Sequence, residues 1–109
     1  MQVSQHRKPE SEVLALRREL GRWLKQMREE SNLSQRQLAD LLGIEYYTFI
    51  SQLETGRGRI PPERYVDWAS SFGMTPRDFV MVLLRHYEPS TFSSLFPDEE
   101  QTNVVQLKS

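Results

Sequence analysis

The stretch from Ser34 to Pro61, SQRQLADLLGIEYYTFISQLETGRGRIP, decides the fold of this chain. The Ser34 hydroxyl is placed to accept from the free N–H groups at the start of a helix, and Gln37, three residues later, completes a capping box. Gly43 falls where that helix must end, because a residue without a Cβ adopts the left-handed conformation at low cost. The pattern predicts a short helix followed by a tight turn.

A second helix is predicted directly after the turn, over about Tyr46–Leu53. Its apolar residues follow the i, i+3, i+4, i+7 spacing of a single helical face, and they are Tyr46, Phe49, Ile50 and Leu53. We therefore expect this face, Tyr46 included, to pack on the core. The loop that follows, Thr55–Arg59, combines two glycines with two arginines and is expected to be exposed and positively charged.

The segment before this stretch predicts a helix over about residues 11–30, from an apolar series that includes Val13, Leu24 and Met27. Gly21 would lie in the middle of this helix, where glycine is destabilising compared with other residues. Two arrangements therefore stay open, one long helix or a shorter helix preceded by an arm.

Two more helices are predicted after the loop, the first from Pro61 or Pro62 to Gly73. The second begins at Thr75-Pro76 and stops before Glu88-Pro89. Their expected apolar faces are Tyr65, Trp68, Ala69 and Phe72 in the first, and Phe79, Val82, Leu83 and Tyr87 in the second. Residues 90–96 are expected to form a turn or one more short helix that exposes Phe92, Leu95 and Phe96.

The fold class is therefore predicted to be all-α, a compact bundle of about five helices around a helix-turn-helix. Its 109 residues suit one modest core with extensions. The expected organisation is a flexible N-terminal arm (1–10), a helical domain (11–87), an apolar C-terminal extension available for dimer contacts (88–96) and an acidic tail (97–109).

Composition narrows the function. The chain has no cysteine, which excludes disulfides and thiolate zinc sites. His6 and His86 lack neighbours at metal-ligand spacing, and no nucleophile pattern or cofactor fingerprint is present. We expect a protein without metal, cofactor or catalytic activity. An export signal and a run of about 18 apolar residues are both missing, so a soluble, cytoplasmic protein is expected.

The formal net charge of −1 gives no overall sign of nucleic-acid binding. The distribution of charge is more informative. Residues 1–60 contain ten Lys and Arg against eight Asp and Glu, whereas residues 97–109 contain three acidic residues and Lys108 alone. The acidic excess lies in the tail.

The two helices, their glycine turn and the ending Leu53-Glu54-Thr55-Gly56 resemble the lambda repressor-like helix-turn-helix family, also called XRE or Cro-type. The resemblance covers roughly residues 18–86, and its most specific parts are SQRQLADLLG and SQLETGRGRIP. It implies that Gln35–Leu42 lies across a DNA backbone and that the second helix enters the major groove. It also implies a structural ion pair between Arg28 and Glu54.

The turn after Gly43 is one residue longer than in the common family pattern. We place the additional residue near Glu45–Tyr46, because that register buries Ile50 and Leu53 whereas the other would bury Gln52. The base contacts predicted in this register are Tyr47, Thr48, Ser51 and Gln52. The alternative for Gln52 is a solvated side chain.

Phosphate contacts are predicted for Gln35 and Arg36 at the start of the first motif helix, and for Arg57 and Arg59 in the loop. The alternatives are an ordinary surface glutamine and a solubilising loop.

Family members usually bind DNA as symmetric dimers. The candidate dimer contacts are Leu84, Tyr87, Phe92, Leu95 and Phe96, with Val80 beside them; the alternative is that some of these cap the core. The function expected is a homodimeric transcriptional regulator, a repressor by family habit, that reads a palindromic operator in double-stranded DNA. The alternative is a protein-interaction module, an antitoxin or adaptor, that uses the C-terminal extension and tail.

Overall fold

The computed structural model describes residues 10–99, and every regular element in that range is helical. The six α-helices are α1 (Glu10–Glu30), α2 (Gln35–Leu42), α3 (Thr48–Glu54), α4 (Tyr65–Ser71), α5 (Pro76–Tyr87) and α6 (Pro89–Leu95). Short 3₁₀ turns at Pro62–Arg64 and Pro97–Glu99 precede α4 and follow α6. The all-α fold is confirmed. The sixth helix, Pro89–Leu95, covers most of the 90–96 segment, for which the sequence allowed a turn or a helix.

The first helix is continuous through Gly21, so the long-helix alternative is right for residues 10–30. Glu10 and Glu12 lie in its first turn and Arg28 in its last, each complementing the helix dipole. Glu10 was expected in the N-terminal arm but begins the helix. The rest of that arm, residues 1–9, and residues 100–109 of the acidic tail lie outside the described residues.

The capping chemistry predicted for α2 is confirmed at both ends. The Gln37 backbone N–H donates to Ser34 Oγ at 3.0 Å, and the Ser34 N–H donates to Gln37 Oε1 at 2.8 Å. Gly43 has a φ of 68°, the left-handed conformation that glycine favours, and the Ile44 N–H donates to the Ala39 carbonyl at 2.8 Å. These bonds fix the direction in which the chain enters the turn.

Helix α3 begins later than predicted, at Thr48 instead of Tyr46. Tyr46 therefore lies in the turn and is 68% exposed, so the prediction that it packs in the core is wrong. The physical reason is the longer turn, since helical spacing governs only residues that are in the helix. Ile50 and Leu53, which are in it, are buried as expected.

The hydrophobic core lies where α1 packs against α3 and α5, and where α2 packs against α3 and α4. Its buried members are Leu20, Trp23, Leu24, Met27, Leu38, Ala39, Leu42, Ile50, Leu53, Ile60, Trp68, Ala69, Phe72, Phe79, Val82 and Leu83. The apolar faces predicted for α4 and α5 are thus largely confirmed, with Tyr65 and Tyr87 half-buried at the edge of the core.

The last helix, α6, folds back on α5. Phe92 is 1% exposed, and its ring lies 4.4 Å from the Arg85 guanidinium carbon and 5.4 Å from the Phe96 ring centre. The expectation that Phe92 is exposed is therefore wrong, because the Glu88-Pro89 turn directs it back toward α5. Leu95, at 60% exposed, does face solvent. No helix in residues 10–99 is long and apolar enough to cross a membrane.

Candidate nucleic-acid interface

The outward face of α3 carries the four residues predicted to contact bases. Thr48 and Gln52 are exposed, Ser51 is half-buried, and Tyr47 stands at the N-cap position with 36% of its surface exposed. The opposite face is buried through Ile50 and Leu53. The structure thus adopts the register with Gln52 outside, and it presents hydroxyl and amide groups together on one side of a short helix.

The start of α3 lacks a side-chain cap, and a contact from α2 lies beside it. The Arg36 guanidinium carbon is 4.3 Å from the centre of the Tyr47 ring. A cation over an aromatic face is worth about 0.5–1 kcal/mol at an exposed site. Arg36, predicted as a phosphate contact, therefore also ties the two helices of the motif together at the turn.

The end of α3 is held by a buried network around Glu54. Arg28 Nε lies 2.6 Å from Glu54 Oε2, and Arg28 Nη2 lies 3.1 Å from Glu54 Oε1, so the pair is bidentate. Arg28 Nη1 also donates to the Leu33 carbonyl at 2.8 Å. The hydrogen bonds that Arg28 donates to the Glu54 carboxylate raise the pKa of Arg28 above its ordinary value. The structure thus brings together the two residues for which the family resemblance implies an ion pair.

Gln35 belongs to the same network. Its Nε2 donates to Glu54 Oε1 at 3.0 Å, which connects the first residue of α2 to the end of α3. The side-chain amide of Gln35 is therefore already hydrogen-bonded inside the protein. The backbone N–H of Gln35 lies at the start of the helix, the position at which helices bind phosphate. The sequence suggested its position on α2 but not this partner.

Gly21 lets α1 approach the backbone at the end of α3. A Cβ built on Gly21 would lie 2.4 Å from the Glu54 carbonyl oxygen and 2.7 Å from that of Leu53. Real Cβ atoms do not come so close to backbone atoms, so a side chain here would push the two helices apart. Gly21 made a continuous α1 uncertain in the sequence, but in the structure it allows α1 to pack closely against the end of α3.

Gly21→Ala is expected to lower the free energy of unfolding by about 1–3 kcal/mol, because overpacking displaces backbone. Glycine to alanine within a helix otherwise stabilises by about 1 kcal/mol, so the sign of the change is diagnostic. Urea unfolding followed by circular dichroism measures it. Gln26→Ala, on the exposed side of α1, is the control and should change stability by less than about 0.5 kcal/mol. A more stable Gly21→Ala protein would contradict the close approach.

The loop after α3 separates its two arginines. Arg57 is exposed, and its backbone N–H donates to the Gln52 carbonyl at 2.8 Å. Arg59 instead lies 3.2 Å from a Glu88 carboxylate oxygen and 4.5 Å from the centre of the Tyr87 ring. Only Arg57 of this pair has a guanidinium without a charged partner among residues 10–99.

The residues predicted as dimer contacts are also divided by the structure. Phe92 is a core residue and is not available on the surface, which corrects that assignment. The Tyr87 hydroxyl accepts from the Ile60 N–H at 3.1 Å, and burial raises the pKa of this hydroxyl. Leu84 and Phe96 are half-buried, so Leu95 is the largest exposed apolar side chain of the set.

Among residues 10–99 no group of three or more His, Asp or Glu side chains is placed to hold a metal ion. His86 is buried, with Nδ1 2.8 Å from the Val82 carbonyl oxygen and Nε2 3.4 Å from a Glu19 carboxylate oxygen. This histidine links α1 to α5 and lies outside the α3 face.

A comparison with family models matches residues 19–80 to a helix-turn-helix domain. The match runs from the middle of α1 into α5 and includes α2, α3 and the loop between α3 and α4. It agrees with the resemblance predicted over residues 18–86. Neither the curated proteins nor the solved structures compared with this chain gave a match.

Proposed function

Because this chain belongs to the helix-turn-helix domain family, we propose that it is a sequence-specific regulator that binds double-stranded DNA and controls transcription. The observation that carries the proposal is the α3 helix, whose outward face is polar while its ends are anchored by Arg36 and by the Glu54 network. In the proposed complex α3 enters the major groove and α2 crosses the backbone. The protein acts by binding, without a cofactor or a catalytic step.

Tyr47, Thr48, Ser51 and Gln52 are the proposed base contacts. The amide of Gln52 is suited to adenine, because it can accept from N6 and donate to N7 at the same time. The hydroxyls of Thr48 and Ser51 suit base edges or nearby phosphates, and the ring of Tyr47 suits a thymine methyl group.

Gln52→Ala is expected to reduce discrimination between the best site and a site changed at one adenine by about 1–3 kcal/mol. Binding sites are first selected from a pool of random duplexes by the wild-type protein, and the affinities of both proteins for matched and changed sites are then measured at one fixed salt concentration. Gln26→Ala is the control, since this glutamine lies on α1 and should leave discrimination unchanged. Identical site preferences for Gln52→Ala and wild type would refute the base contact.

Phosphate contacts are proposed for Gln35, Arg36, Arg57 and Arg59. Arg57 is ready for such a contact, whereas Arg59 must first leave Glu88. Both side chains of that pair are more than 40% exposed, at 41% and 47%. An exposed ion pair contributes only about 0–1 kcal/mol, so exchanging Glu88 for a phosphate is inexpensive.

The proposed functional unit is a homodimer that reads a palindromic operator, with half-sites about one helical turn apart. Leu95 is the proposed centre of its interface, with Leu84, Tyr87 and Phe96 at the edge. We propose that the protein is a bacterial or phage-encoded repressor that acts in the cytoplasm of a bacterium.

A second candidate function is a protein-interaction module, an antitoxin or adaptor. The observation that favours it is the exposed Leu95, followed three residues later by the exposed Asp98. Deleting residues 88–109 would also remove the core residue Phe92, so Leu95→Glu is the cleaner test. If no DNA site is enriched from random duplexes, and this substitution abolishes binding of a purified partner protein, the second function replaces the first.

A further inference from the structure

Three basic residues form a stripe along the exposed side of α1. Arg18, Arg22 and Lys25 stand at i, i+4 and i+7, which places their side chains within a narrow arc of the helix. All three are exposed. The apolar residues of α1 face the other way, into the core.

This stripe borders the end of α3. Gly21, between Arg18 and Arg22, meets the carbonyls of Leu53 and Glu54 at the end of α3. A Cβ on Gly56, in the loop after α3, would lie 3.0 Å from Arg18 Cγ and 3.1 Å from the Arg18 backbone nitrogen. The stripe therefore continues into the loop that carries Arg57, and we name Arg18, Arg22, Lys25 and Arg57 the basic ridge.

The positive charges of the basic ridge have no ion-pair or aromatic partner within the described part of the protein. None of its four side chains forms an ion pair or lies over an aromatic ring in residues 10–99. Arg17, one residue away, is used differently, because its guanidinium donates to the Gly58 carbonyl at 3.3 Å and lies over Tyr87.

The carboxylates of the same helix leave most of the ridge uncompensated. Glu19 lies 3.4 Å from His86 Nε2, and Glu30 accepts from Gln26 at 2.9 Å. Glu29 is exposed one turn beyond Lys25 and is the carboxylate at that end of the stripe. A concentration of positive charge therefore remains beside α3, although the whole chain has a formal net charge of −1.

We propose that the basic ridge is a phosphate-binding surface that extends the contact proposed for Arg57 along α1, where it follows the DNA backbone beside the groove that α3 occupies. The proposal rests on the proposed DNA-binding function. A major groove about 12 Å wide is filled by one helix, so groups at the end of that helix lie over the bordering phosphates. Long, flexible Arg and Lys side chains on α1 supply charge there without reading sequence.

The triple variant Arg18→Gln/Arg22→Gln/Lys25→Gln tests the ridge, because glutamine keeps much of the side-chain stem and the helix propensity while it removes charge. The probe is a fluorescently labelled random-sequence duplex of about 30 base pairs, titrated by anisotropy at several salt concentrations. Each lost phosphate contact should reduce the slope of log affinity against log salt by about 0.9, and three contacts by roughly 2.7. Discrimination between selected and changed sites should stay at the wild-type value.

Arg22→Gln is compared with Arg77→Gln, which removes the same charge from the start of α5. We expect a smaller slope for Arg22→Gln and the wild-type slope for Arg77→Gln. Equal slopes for wild type and the triple variant, or equal reductions by the two single variants, would overturn the ridge. Circular dichroism and the thermal midpoint verify that each variant is folded. Failure of the wild-type protein to bind any duplex at low salt would instead overturn the proposed DNA-binding function.

Discussion

Glu54→Ala is expected to lower the free energy of unfolding by about 3–5 kcal/mol, the cost of leaving a buried charge without its partner. Arg28 and Glu54 are each only 8% exposed, so Arg28 cannot regain full hydration when the carboxylate is removed. Gln35 loses its acceptor in the same change. Urea unfolding followed by circular dichroism gives the difference.

The matched control is Glu88→Ala, which breaks the exposed ion pair with Arg59 and should cost less than about 1 kcal/mol. The double variant Arg28→Met/Glu54→Leu separates stability from geometry. Replacing both partners of a buried pair by apolar residues is often neutral, so much of the lost stability should return. If Glu54→Ala is no more destabilising than Glu88→Ala, the network does not hold α3.

The second large effect is expected at Phe92. Phe92→Ala should lower the free energy of unfolding by about 3–5 kcal/mol, because it removes a fully buried ring and leaves a cavity between α5 and α6. Thermal and urea unfolding measure this loss. The result would establish that α6 is part of the folded core and not a loose extension.

Leu95→Glu, three residues further along α6, is the companion variant. Since Leu95 is 60% exposed, the free energy of unfolding of the monomer should change by less than about 0.5 kcal/mol. The proposed dimer should dissociate, because a carboxylate would be buried at its centre, and sedimentation velocity detects this. An unstable Leu95→Glu protein with an unchanged oligomeric state would contradict both assignments. A Phe92→Ala protein as stable as wild type would contradict the core role.

The helix-turn-helix could be predicted from Ser34 to Thr55 because its signals are local. The capping box at Ser34 and Gln37 and the left-handed Gly43 involve residues within one or two turns of each other. The buried and exposed faces of α3 were also predictable, because helical spacing separates Ile50 and Leu53 from Thr48 and Gln52. Tyr46 was misplaced because the spacing was extended across a turn that is not helical.

The candidate site was only partly predictable, because several of its contacts join residues far apart in the chain. Arg59 and Glu88 are 29 residues apart, and no local sequence pattern predicts their ion pair. The role of Phe92 was missed for the same reason, since burial of an aromatic ring after a proline turn depends on which helix it folds against. The close packing of α3 against Gly21 depends likewise on how α1 and α3 cross.

The sequence by itself thus determined the approximate positions of most helices, the caps of α2 and the polar face of α3, because each is set by interactions along a few consecutive residues. Only the tertiary structure decided which of the positive charges have partners within residues 10–99 and which do not. Arg17 and Arg59 are engaged by groups brought in from distant elements, whereas Arg18, Arg22, Lys25 and Arg57 are left exposed beside α3. All of these residues are basic in the sequence, and only tertiary packing separates them. Arg17 contacts the loop after α3 and Tyr87, and Arg59 is held by Glu88 and Tyr87 at the end of α5.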